Sequence, residues 1–184
     1  SVEKIVHHKY DYIKIASCSV KDWPLLEKIG EYNLPIIASS GGADITDVDK
    51  LVSFLEHKQK SFALMHCVGI YPTNDELLQL NRIDWFKERY PNIQIGFSTH
   101  EVPGKLMPAA IAIAKGAIIF EKHVGVETET IQLNNYSCTP IQIKEWLETI
   151  RQSLIMCGEK DIKNYKISDE ELNGLKDQIG RAHV

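Results

Sequence analysis

Short apolar runs rich in β-branched residues alternate along the chain with longer segments of helical periodicity. The apolar runs predict five strands, at 12–17, 34–39, 61–68, 93–97 and 117–120. The periodic segments predict helices at 22–30, 46–58, 73–90, 102–115 and 139–157, and a short polar helix from Ser168. This alternation predicts an α/β domain with a parallel sheet and right-handed crossovers.

Three of the predicted helices begin with a capping signal. Thr46 and Asp49, like Thr73 and Glu76, have the spacing of a capping box, and Thr139 is followed by a proline. We therefore expect these three threonines to cap the helices that follow them.

Polar residues inside the strands share one face of the predicted sheet. Side chains alternate faces along a strand, which places Lys14, Ser98 and Glu121 on the same side. An open doubly wound sheet buries both faces against helices, whereas one face of a (β/α)₈ barrel lines a lumen that holds catalytic groups. Because a complete barrel needs about 250 residues, we expect this chain to form the second half of one.

Composition narrows the class of protein. The chain has 184 residues, is 43% hydrophobic and carries a net charge of −4, which suits one sizeable core and leaves no basic stripe for nucleic acid. No apolar run approaches the ~20 residues that span a bilayer. The cysteines lie far apart without a CxxC motif, which favours reduced thiols in a cytoplasm over a disulfide frame or a cysteine zinc site.

We expect three regions along the chain: a half-barrel at 1–157, a linker at 158–178 that contains the start of a following region, and a tail at 179–184. The tail reads Ile-Gly-Arg-Ala-His-Val, the translation of a string that resembles a common sequencing-library adapter. We therefore expect these last residues to be translated from adapter sequence and not from the gene, and we exclude His183 as a ligand. A different codon series in the coding DNA would contradict this expectation.

Two histidines follow consecutive strands with the same parity. His100 shares a strand face with Ser98, and His123 shares one with Glu121. Because the carboxyl ends of parallel strands meet at one edge of a sheet, both imidazoles are expected to reach one small cation or oxyanion. The alternative is that each histidine bonds a backbone carbonyl at its strand end. Glu121 would orient a histidine ligand or pair with Lys14 across the lumen.

Lys14 lies inside an apolar strand, where a lysine is rarely buried without a partner. We interpret it as a cation for an anionic substrate at the barrel mouth, with an exposed strand edge as the alternative. Ser17, Ser39 and Ser40 add hydroxyls at two strand ends, and Gly41 lets backbone N–H groups approach a phosphate. The Ser-Ser-Gly-Gly loop alone is also typical of a plain turn.

The end of the third strand carries residues of opposite parity. Tyr71 is expected to point its hydroxyl into the mouth, whereas His66 points toward a helix as a packing residue. Cys67 has no adjacent base and is interpreted as a small core residue. Lys122 has the outward parity and is assigned no role.

At these residues the chain resembles the sialic acid synthase family, phosphoenolpyruvate-condensing enzymes that make N-acetylneuraminate and related nonulosonates. The resemblance implies a (β/α)₈ TIM barrel of which strands four to eight are present. It lies in five motifs in the same order, namely Lys14-Ile-Ala-Ser17, Pro35-Ile-Ile-Ala-Ser-Ser-Gly-Gly42, His66-Cys-Val-Gly-Ile-Tyr-Pro-Thr73, Ile95-Gly-Phe-Ser-Thr-His100 and Glu121-Lys-His123.

The resemblance also implies a site. His100 and His123 would hold a divalent metal, Mn²⁺ or Mg²⁺, and Glu121 would contact the amino sugar. Of the site residues, we expect Glu121, Lys14 and Tyr71 to be catalytic. The positions that match phosphoenolpyruvate contacts are Lys14, Ser17, Ser39, Ser98 and Tyr71.

Three positions depart from the family pattern. Gly69 stands where the family commonly has Asn, Thr99 where it has Asp, and Asn134 where an Asp near the sugar is usual. These departures leave the sugar open more than the chemistry. The implied reaction condenses phosphoenolpyruvate with N-acetylmannosamine or a related amino sugar and releases phosphate.

Two other interpretations stay open: a non-catalytic half-barrel, and a different metal- or Schiff-base-dependent barrel aldolase, such as one in which Lys14 forms the Schiff base. The first three barrel strands and the family's C-terminal antifreeze-like domain are absent, so we expect this piece alone to be inactive. The full-length protein is expected to be a cytoplasmic homodimer that acts on small molecules and binds neither nucleic acid nor membrane.

Overall fold

The computed structural model describes residues 2–160, 163 and 165–179. The read-through predicted at 179–184 falls outside these ranges apart from Ile179, and His183 falls outside them as well. Within these ranges no helix has the length and apolar character needed to cross a membrane. The domain boundaries given above stay predictions.

The five predicted strands are present and form one parallel sheet. Across the sheet they follow their order in the chain, from β1 to β5. A doubly wound sheet reverses its strand order at a switch point, so the sequential order favours the barrel over the open sheet. The strands are β1 (Ile13–Ile15), β2 (Ile36–Ser39), β3 (Phe62–Cys67), β4 (Gln94–Thr99) and β5 (Ile119–Lys122).

Helices separate the strands and continue after the last one. Thr139 and Gln142 form the predicted kind of N-terminal cap, because each side chain accepts a hydrogen bond from the other's backbone N–H. In the described ranges the helices are α1 (Val2–His7), α2 (Trp23–Gly30), α3 (Ile45–His57), α4 (Asn81–Arg89), α5 (Met107–Ala114), α6 (Pro140–Cys157) and α7 (Asp169–Ile179).

The other two predicted threonine caps are wrong. The cap of α3 is Asp44, whose carboxylate accepts a hydrogen bond of 2.9 Å from the backbone N–H of Asp47, and Thr46 lies inside the first turn. Thr73 donates its hydroxyl to a backbone carbonyl three residues earlier, and a 3₁₀ turn at Asp75–Leu77 precedes α4. An aspartate close to a helix start competes well for the cap position, so the spacing alone located these starts only approximately.

The alanine-rich helix α5 begins later than predicted. Gly104 has a φ of 87°, in the left-handed region that glycine enters most readily, and the chain does not become helical until Met107. Pro108 stands in the first turn, where its missing N–H forfeits no helical hydrogen bond. Ala109 and Ala112 are fully buried, so their small side chains permit close packing of α5.

The helix-facing side of the sheet forms the hydrophobic core. Its strand residues are fully or almost fully buried, and burying one large apolar side chain contributes about 1.5–3 kcal/mol. The strand residues of this core include Ile13, Ile15, Ile36, Ala38, Leu64, Ile95 and Phe97. The helices contribute Leu26, Leu51, Leu55, Ile83 and Phe86 among others.

The opposite side of the sheet carries the polar strand residues that alternation predicts there. In the strand register Ser98 pairs with Cys67 on β3 and with Glu121 on β5, and paired residues of parallel neighbours point to the same face. Lys14 on β1 donates a hydrogen bond of 2.8 Å to the hydroxyl of Ser39 on β2. The predicted polar face is therefore present.

The sheet curls toward this polar side. Its edges are β1 and β5, which four steps of about 4.8 Å would set about 19 Å apart in a flat sheet. Lys14 Nζ nevertheless lies 3.3 Å from Glu121 Oε2. Since these two side chains are too short to meet across a flat sheet, the strands must curve around them. The result is a five-stranded half-barrel with helices outside and a polar lumen inside.

Candidate functional site

His100 and His123 lie side by side at the carboxyl ends of β4 and β5. Their ring centroids are 5.2 Å apart and their planes are inclined by 52°. His100 is buried and His123 is exposed. The structure thus brings together the two imidazoles that strand parity predicts on one edge of the sheet.

The surroundings of His100 favour its neutral form. Burial and, to a smaller extent, the nearby His123 lower the pKa of its imidazole to about 4. His100 Nδ1 lies 3.2 Å from the carbonyl oxygen of Val68, which only a protonated Nδ1 can satisfy. In that tautomer Nε2 keeps its lone pair, as a metal ligand requires.

Two tyrosines complete an aromatic cluster around the histidines. The ring of Tyr71 lies 4.2 Å from that of His100, as its predicted position in the mouth requires. Partial burial raises the pKa of the Tyr71 phenol, so the group stays protonated and able to donate. Tyr136 lies 5.0 Å from His123 and 5.2 Å from Tyr71, between ring centroids. Sequence reasoning missed Tyr136 because it sits in a loop without periodicity.

Lys14 and Glu121 form an ion pair across the lumen. The ammonium group lies 3.3 Å from the carboxylate and donates a hydrogen bond of 2.8 Å to the hydroxyl of Ser39. Their side chains remain 34% and 42% exposed, so both can still meet a ligand. This contact is the structural alternative considered for Glu121, and the catalytic and substrate-binding roles of both residues stay predictions.

Ser17 and Gly41 make a close contact near the polar face. The backbone N–H of Gly41 donates to Ser17 Oγ at 3.0 Å, and Ser17 Oγ lies 3.5 Å from the sulfur of Cys67. A Cβ atom at Gly41 would lie 2.7 Å from Ser17 Oγ and 3.0 Å from Cys67 Sγ, so no other residue fits without a shift. The loop is thus held close to β3.

The other serines differ in what their hydroxyls can reach. Ser98 is buried between Cys67 and Glu121 in the register of the lumen face. Ser40 is fully buried, and its hydroxyl donates to the carbonyl oxygen of Met65 at 2.9 Å. That bond joins β2 to β3, and the substrate role predicted for Ser40 stays a prediction.

The structure shows what surrounds two of the positions that differ from the family pattern, Asn134 and Gly69. The exposed Asn134 accepts a hydrogen bond of 3.2 Å from the backbone N–H of Tyr136, so its amide oxygen shapes the loop that presents that tyrosine. Gly69 is open, because a Cβ there would meet no atom closer than the Gly41 and Gly42 backbone at 3.9 Å. The binding role predicted for Asn134 stays a prediction.

His66 lies on the other side of the sheet and is confirmed as a packing residue. Its Nε2 lies 2.7 Å from the carbonyl oxygen of Leu78, and its ring stacks on Phe97 at 5.9 Å. Burial lowers its pKa to about 4, as it does for His100. A lowered histidine pKa therefore does not by itself identify the site.

Lys122 points away from the lumen, as its parity predicts, and it has a buried partner there. Lys122 forms an ion pair of 3.1 Å with Glu101, and both side chains are buried. Thr99 donates its hydroxyl to the same carboxylate. Alternation correctly directs Lys122 away from the lumen, but it does not show which partner the side chain meets there.

The histidine pair fits a cation that takes two protein nitrogens and keeps other positions for oxygen atoms. Among the residues that the structure describes, no three or more His, Cys, Asp or Glu side chains converge as metal ligands. Water and substrate oxygens would therefore complete the coordination, and Mn²⁺ and Mg²⁺ both accept oxygen ligands. The metal itself stays a prediction.

Residues 1–162 match the NeuB family. The chain is similar to N-acetylneuraminate-9-phosphate synthase of Drosophila melanogaster, with 37% identity over 174 residues, which are 91% of this chain and 46% of the relative. It is also similar to spore coat polysaccharide biosynthesis protein SpsE of Bacillus subtilis, with 32% identity over 76% of this chain and 38% of the relative. The chain thus spans less than half the length of either relative.

Two solved structures share its architecture. The spore coat polysaccharide biosynthesis protein E of Chromobacterium violaceum superposes with a TM-score of 0.90 and 44% identity, covering 95% of this chain and 52% of that one. The N-acetylneuraminic acid synthetase of Leptospira borgpetersenii, solved with citrate, superposes with a TM-score of 0.84 and 26% identity, covering 96% and 60%. The curled sheet and its outer helices are therefore common to all three chains.

Proposed function

This chain belongs to the NeuB family of sialic acid synthases, and on that premise we propose that it supplies part of the active-site barrel of a phosphoenolpyruvate-condensing synthase. The observation that carries the proposal is the pair of imidazoles at the rim of a lumen that also holds the ammonium group of Lys14. A cation-binding pair and an anion-binding group on one polar face suit two substrates that meet there.

The Lys14 side of the lumen suits the phosphoenolpyruvate. An ammonium group and the hydroxyls of Ser39, Ser17 and Ser98 would donate to its phosphate and carboxylate oxygens. Fixed donors of this kind stabilise the negative charge that moves onto the departing phosphate. Gly41 contributes by allowing its loop to lie against Ser17.

The histidine side of the lumen suits the carbonyl group of an open-chain amino sugar. His100 and His123 would hold the divalent cation, which when bound polarises an aldehyde oxygen. The protonated Tyr71 phenol lies against His100 and would donate a hydrogen bond to that oxygen as negative charge develops on it. Glu121 would contact the sugar from β5, next to Lys14.

The reaction forms one carbon–carbon bond and releases one phosphate. The methylene carbon of phosphoenolpyruvate attacks the aldehyde carbon, and the aldehyde oxygen gains a proton. Water adds to the resulting cation at the phosphate-bearing carbon and loses one proton. The carbon–oxygen bond to phosphate then breaks as the new hydroxyl loses the second proton, which leaves a 2-keto acid and inorganic phosphate. The chain's own residues would orient the two substrates so that these carbons meet.

The sugar is proposed only as a class. Relatives carry the names N-acetylneuraminate-9-phosphate synthase, N,N'-diacetyllegionaminic acid synthase and pseudaminic acid synthase. The substrate would accordingly be N-acetylmannosamine, its 6-phosphate or a bacillosamine-derived relative. The homodimer and the cytoplasmic location expected from the sequence stay predictions.

Phosphate release tests the proposal. The gene product extended to the length of its relatives should release phosphate from phosphoenolpyruvate only when an amino sugar and Mn²⁺ are both present. His100→Ala and His123→Ala should each abolish Mn²⁺ binding and release, whereas His57→Ala, on an exposed position of α3, should change neither. Undiminished Mn²⁺ binding in either variant would remove that histidine from the site.

The 184-residue chain alone is proposed to be inactive, because Lys14 and Glu121 face a lumen that five strands do not enclose. Phosphate release from this chain alone would contradict that. An aldolase with a Lys14 Schiff base is the second candidate. The contacts of Lys14 with Glu121 and Ser39 favour a protonated ammonium group that binds an anion over a neutral amine that forms a Schiff base. Borohydride trapping of a carbonyl substrate on Lys14 would instead support the aldolase.

A further inference from the structure

Glu101 and Lys122 form an ion pair inside the protein, outside the lumen. Their side chains are 0% and 2% exposed, and Glu101 Oε1 lies 3.1 Å from Lys122 Nζ. Among the ion pairs of the described residues, both partners are this well buried only here. Burying two charges is costly unless each has further partners.

Further hydrogen bonds join these residues at the ends of two strands. Lys122 Nζ donates to the backbone carbonyl oxygen of Glu101 at 2.8 Å, and Thr99 donates its hydroxyl to the Glu101 carboxylate. Thr99 is also the register partner of Lys122 across β4 and β5. Three adjoining side chains therefore fix the end of β4 to the end of β5.

The two histidines occupy the positions between and beside these residues. His100 lies between Thr99 and Glu101 in the chain, and His123 directly follows Lys122. Because side chains alternate, the ion pair holds the backbone from the helix side while the imidazoles project into the lumen. Any shift between the two strand ends would change the distance between the rings.

We propose that the Glu101–Lys122 ion pair positions His100 and His123 for joint binding of one cation. The inference rests on the proposed function for the identity of the cation, but the ring geometry that it explains is independent of any metal. A buried ion pair adds little stability over apolar residues of the same size, whereas in some proteins it specifies one geometry. Glu101 and Lys122 are thus positioning residues, since neither faces the lumen.

The first test measures the ring geometry in the chain without metal. The unmodified chain should show a nuclear Overhauser contact between the imidazole protons of His100 and His123, and Glu101→Gln should lose it. The matched control is Leu55→Ala, which removes a fully buried core side chain of α3 and should retain the contact. Retention of the contact in folded Glu101→Gln would overturn the inference.

The second test measures Mn²⁺ affinity by titration calorimetry. Glu101→Gln should weaken binding about 10- to 100-fold, as loss of groups that orient metal ligands typically does, whereas Leu55→Ala should stay within about twofold of the unmodified chain. If the unmodified chain binds no Mn²⁺ yet the ring contact responds as expected, the proposed metal site fails and the positioning role stands. Equal Mn²⁺ affinity in Glu101→Gln and the unmodified chain would overturn the role.

A rescue variant separates charge pairing from general damage. Because Thr99 is the register partner of Lys122, an aspartate at that position would place a carboxylate beside the same ammonium group. Thr99→Asp combined with Glu101→Thr should restore the ring contact and most of the Mn²⁺ affinity that Glu101→Thr alone loses. A folded double variant that remains as weak as Glu101→Thr would show that the ion pair does not position the rings.

Discussion

The helix-facing side and the lumen side of the sheet alternate along the same strands but differ in what surrounds them. Phe97 is fully buried among helices, and its neighbour Ser98 projects into the lumen next to Glu121 in the register. The helix side is continuous with one apolar core, whereas the lumen side carries Lys14, Ser98 and Glu121. A single step along β4 thus separates a side chain that packs in the core from one that faces the lumen.

Two histidines sharpen this comparison. His66 and His100 both have a pKa lowered to about 4 by burial, although they lie on opposite faces. The Nε2 of His66 is hydrogen-bonded to the carbonyl oxygen of Leu78 and its ring stacks on an aromatic ring, whereas His100 adjoins a second imidazole. Burial is therefore the largest cause of both pKa values, and only the neighbours distinguish a packing residue from a candidate ligand.

The largest expected effect comes from substituting adjacent residues on the two faces of β4. Phe97→Ala should lower the free energy of unfolding by about 3–5 kcal/mol, because it leaves a cavity in the core. Ser98→Ala, the matched control, should lower it by about 1 kcal/mol or less. Urea denaturation followed by circular dichroism measures both. Equal losses would show that the two faces do not differ in this way.

Acid should destabilise the fold through His66. In the unfolded chain a histidine takes up a proton below about pH 6.5, whereas folded His66 remains neutral until about pH 4. The contribution of His66 to the free energy of unfolding is therefore fully present above about pH 6.5. It is lost as the pH drops toward 4, by on the order of 3 kcal/mol. Denaturation series between pH 7 and pH 4 should show a shallower fall in His66→Gln than in the unmodified chain. Parallel curves would contradict the assignment.

Removing the ammonium group of Lys14 should affect phosphoenolpyruvate binding more than folding. Lys14→Met in the full-length protein should weaken phosphoenolpyruvate binding about 10- to 100-fold, the usual value of a hydrogen bond to a charged group. Its effect on stability should stay below about 1 kcal/mol, because the Lys14–Glu121 pair is partly exposed. Lys58→Met, which breaks a similarly exposed ion pair with Glu27 outside the lumen, should leave binding unchanged. Calorimetric titration that finds equal affinities in both variants would exclude Lys14 from the anion site.

The smallest expected effect comes from adding a group to the lumen. Gly69→Asn should fit, because a Cβ there meets no atom closer than 3.9 Å. The new amide should tighten phosphoenolpyruvate binding by about two- to tenfold, the value of one neutral hydrogen bond. Gly174→Asn, at an exposed position of α7 where a Cβ meets no atom within 4 Å, is the control and should not change affinity. Weaker binding in Gly69→Asn would show that the lumen is already filled at this point.

Much of the fold follows from local chemistry. The β-branched runs fixed the five strands, and the two-residue period placed Lys14, Ser98 and Glu121 on one face. The sequential strand order then agreed with the lumen that this face predicts. These inferences worked because strand parity depends only on the backbone and not on distant partners.

Features that depend on distant partners were not accessible in this way. The bond between Lys122 and Glu101 joins residues at the ends of different strands. Tyr136 reaches His123 from within the connection at 123–139, whose path no periodicity describes. The cap of α3 was predicted wrongly for a different reason. Asp44 and Thr46 are both good capping residues, and only the path of the preceding loop decides which of them caps the helix.

The contact between Lys14 and Glu121 has a consequence for the width of the barrel. In an eight-stranded cylinder the fifth strand lies diametrically opposite the first, and the interior is just wide enough for side chains to fill. In such a cylinder the ammonium group from β1 and the carboxylate from β5, which lie 3.3 Å apart here, would meet along one diameter. The length of these two side chains therefore sets the distance between the two edge strands of this chain, and with it the width of the lumen.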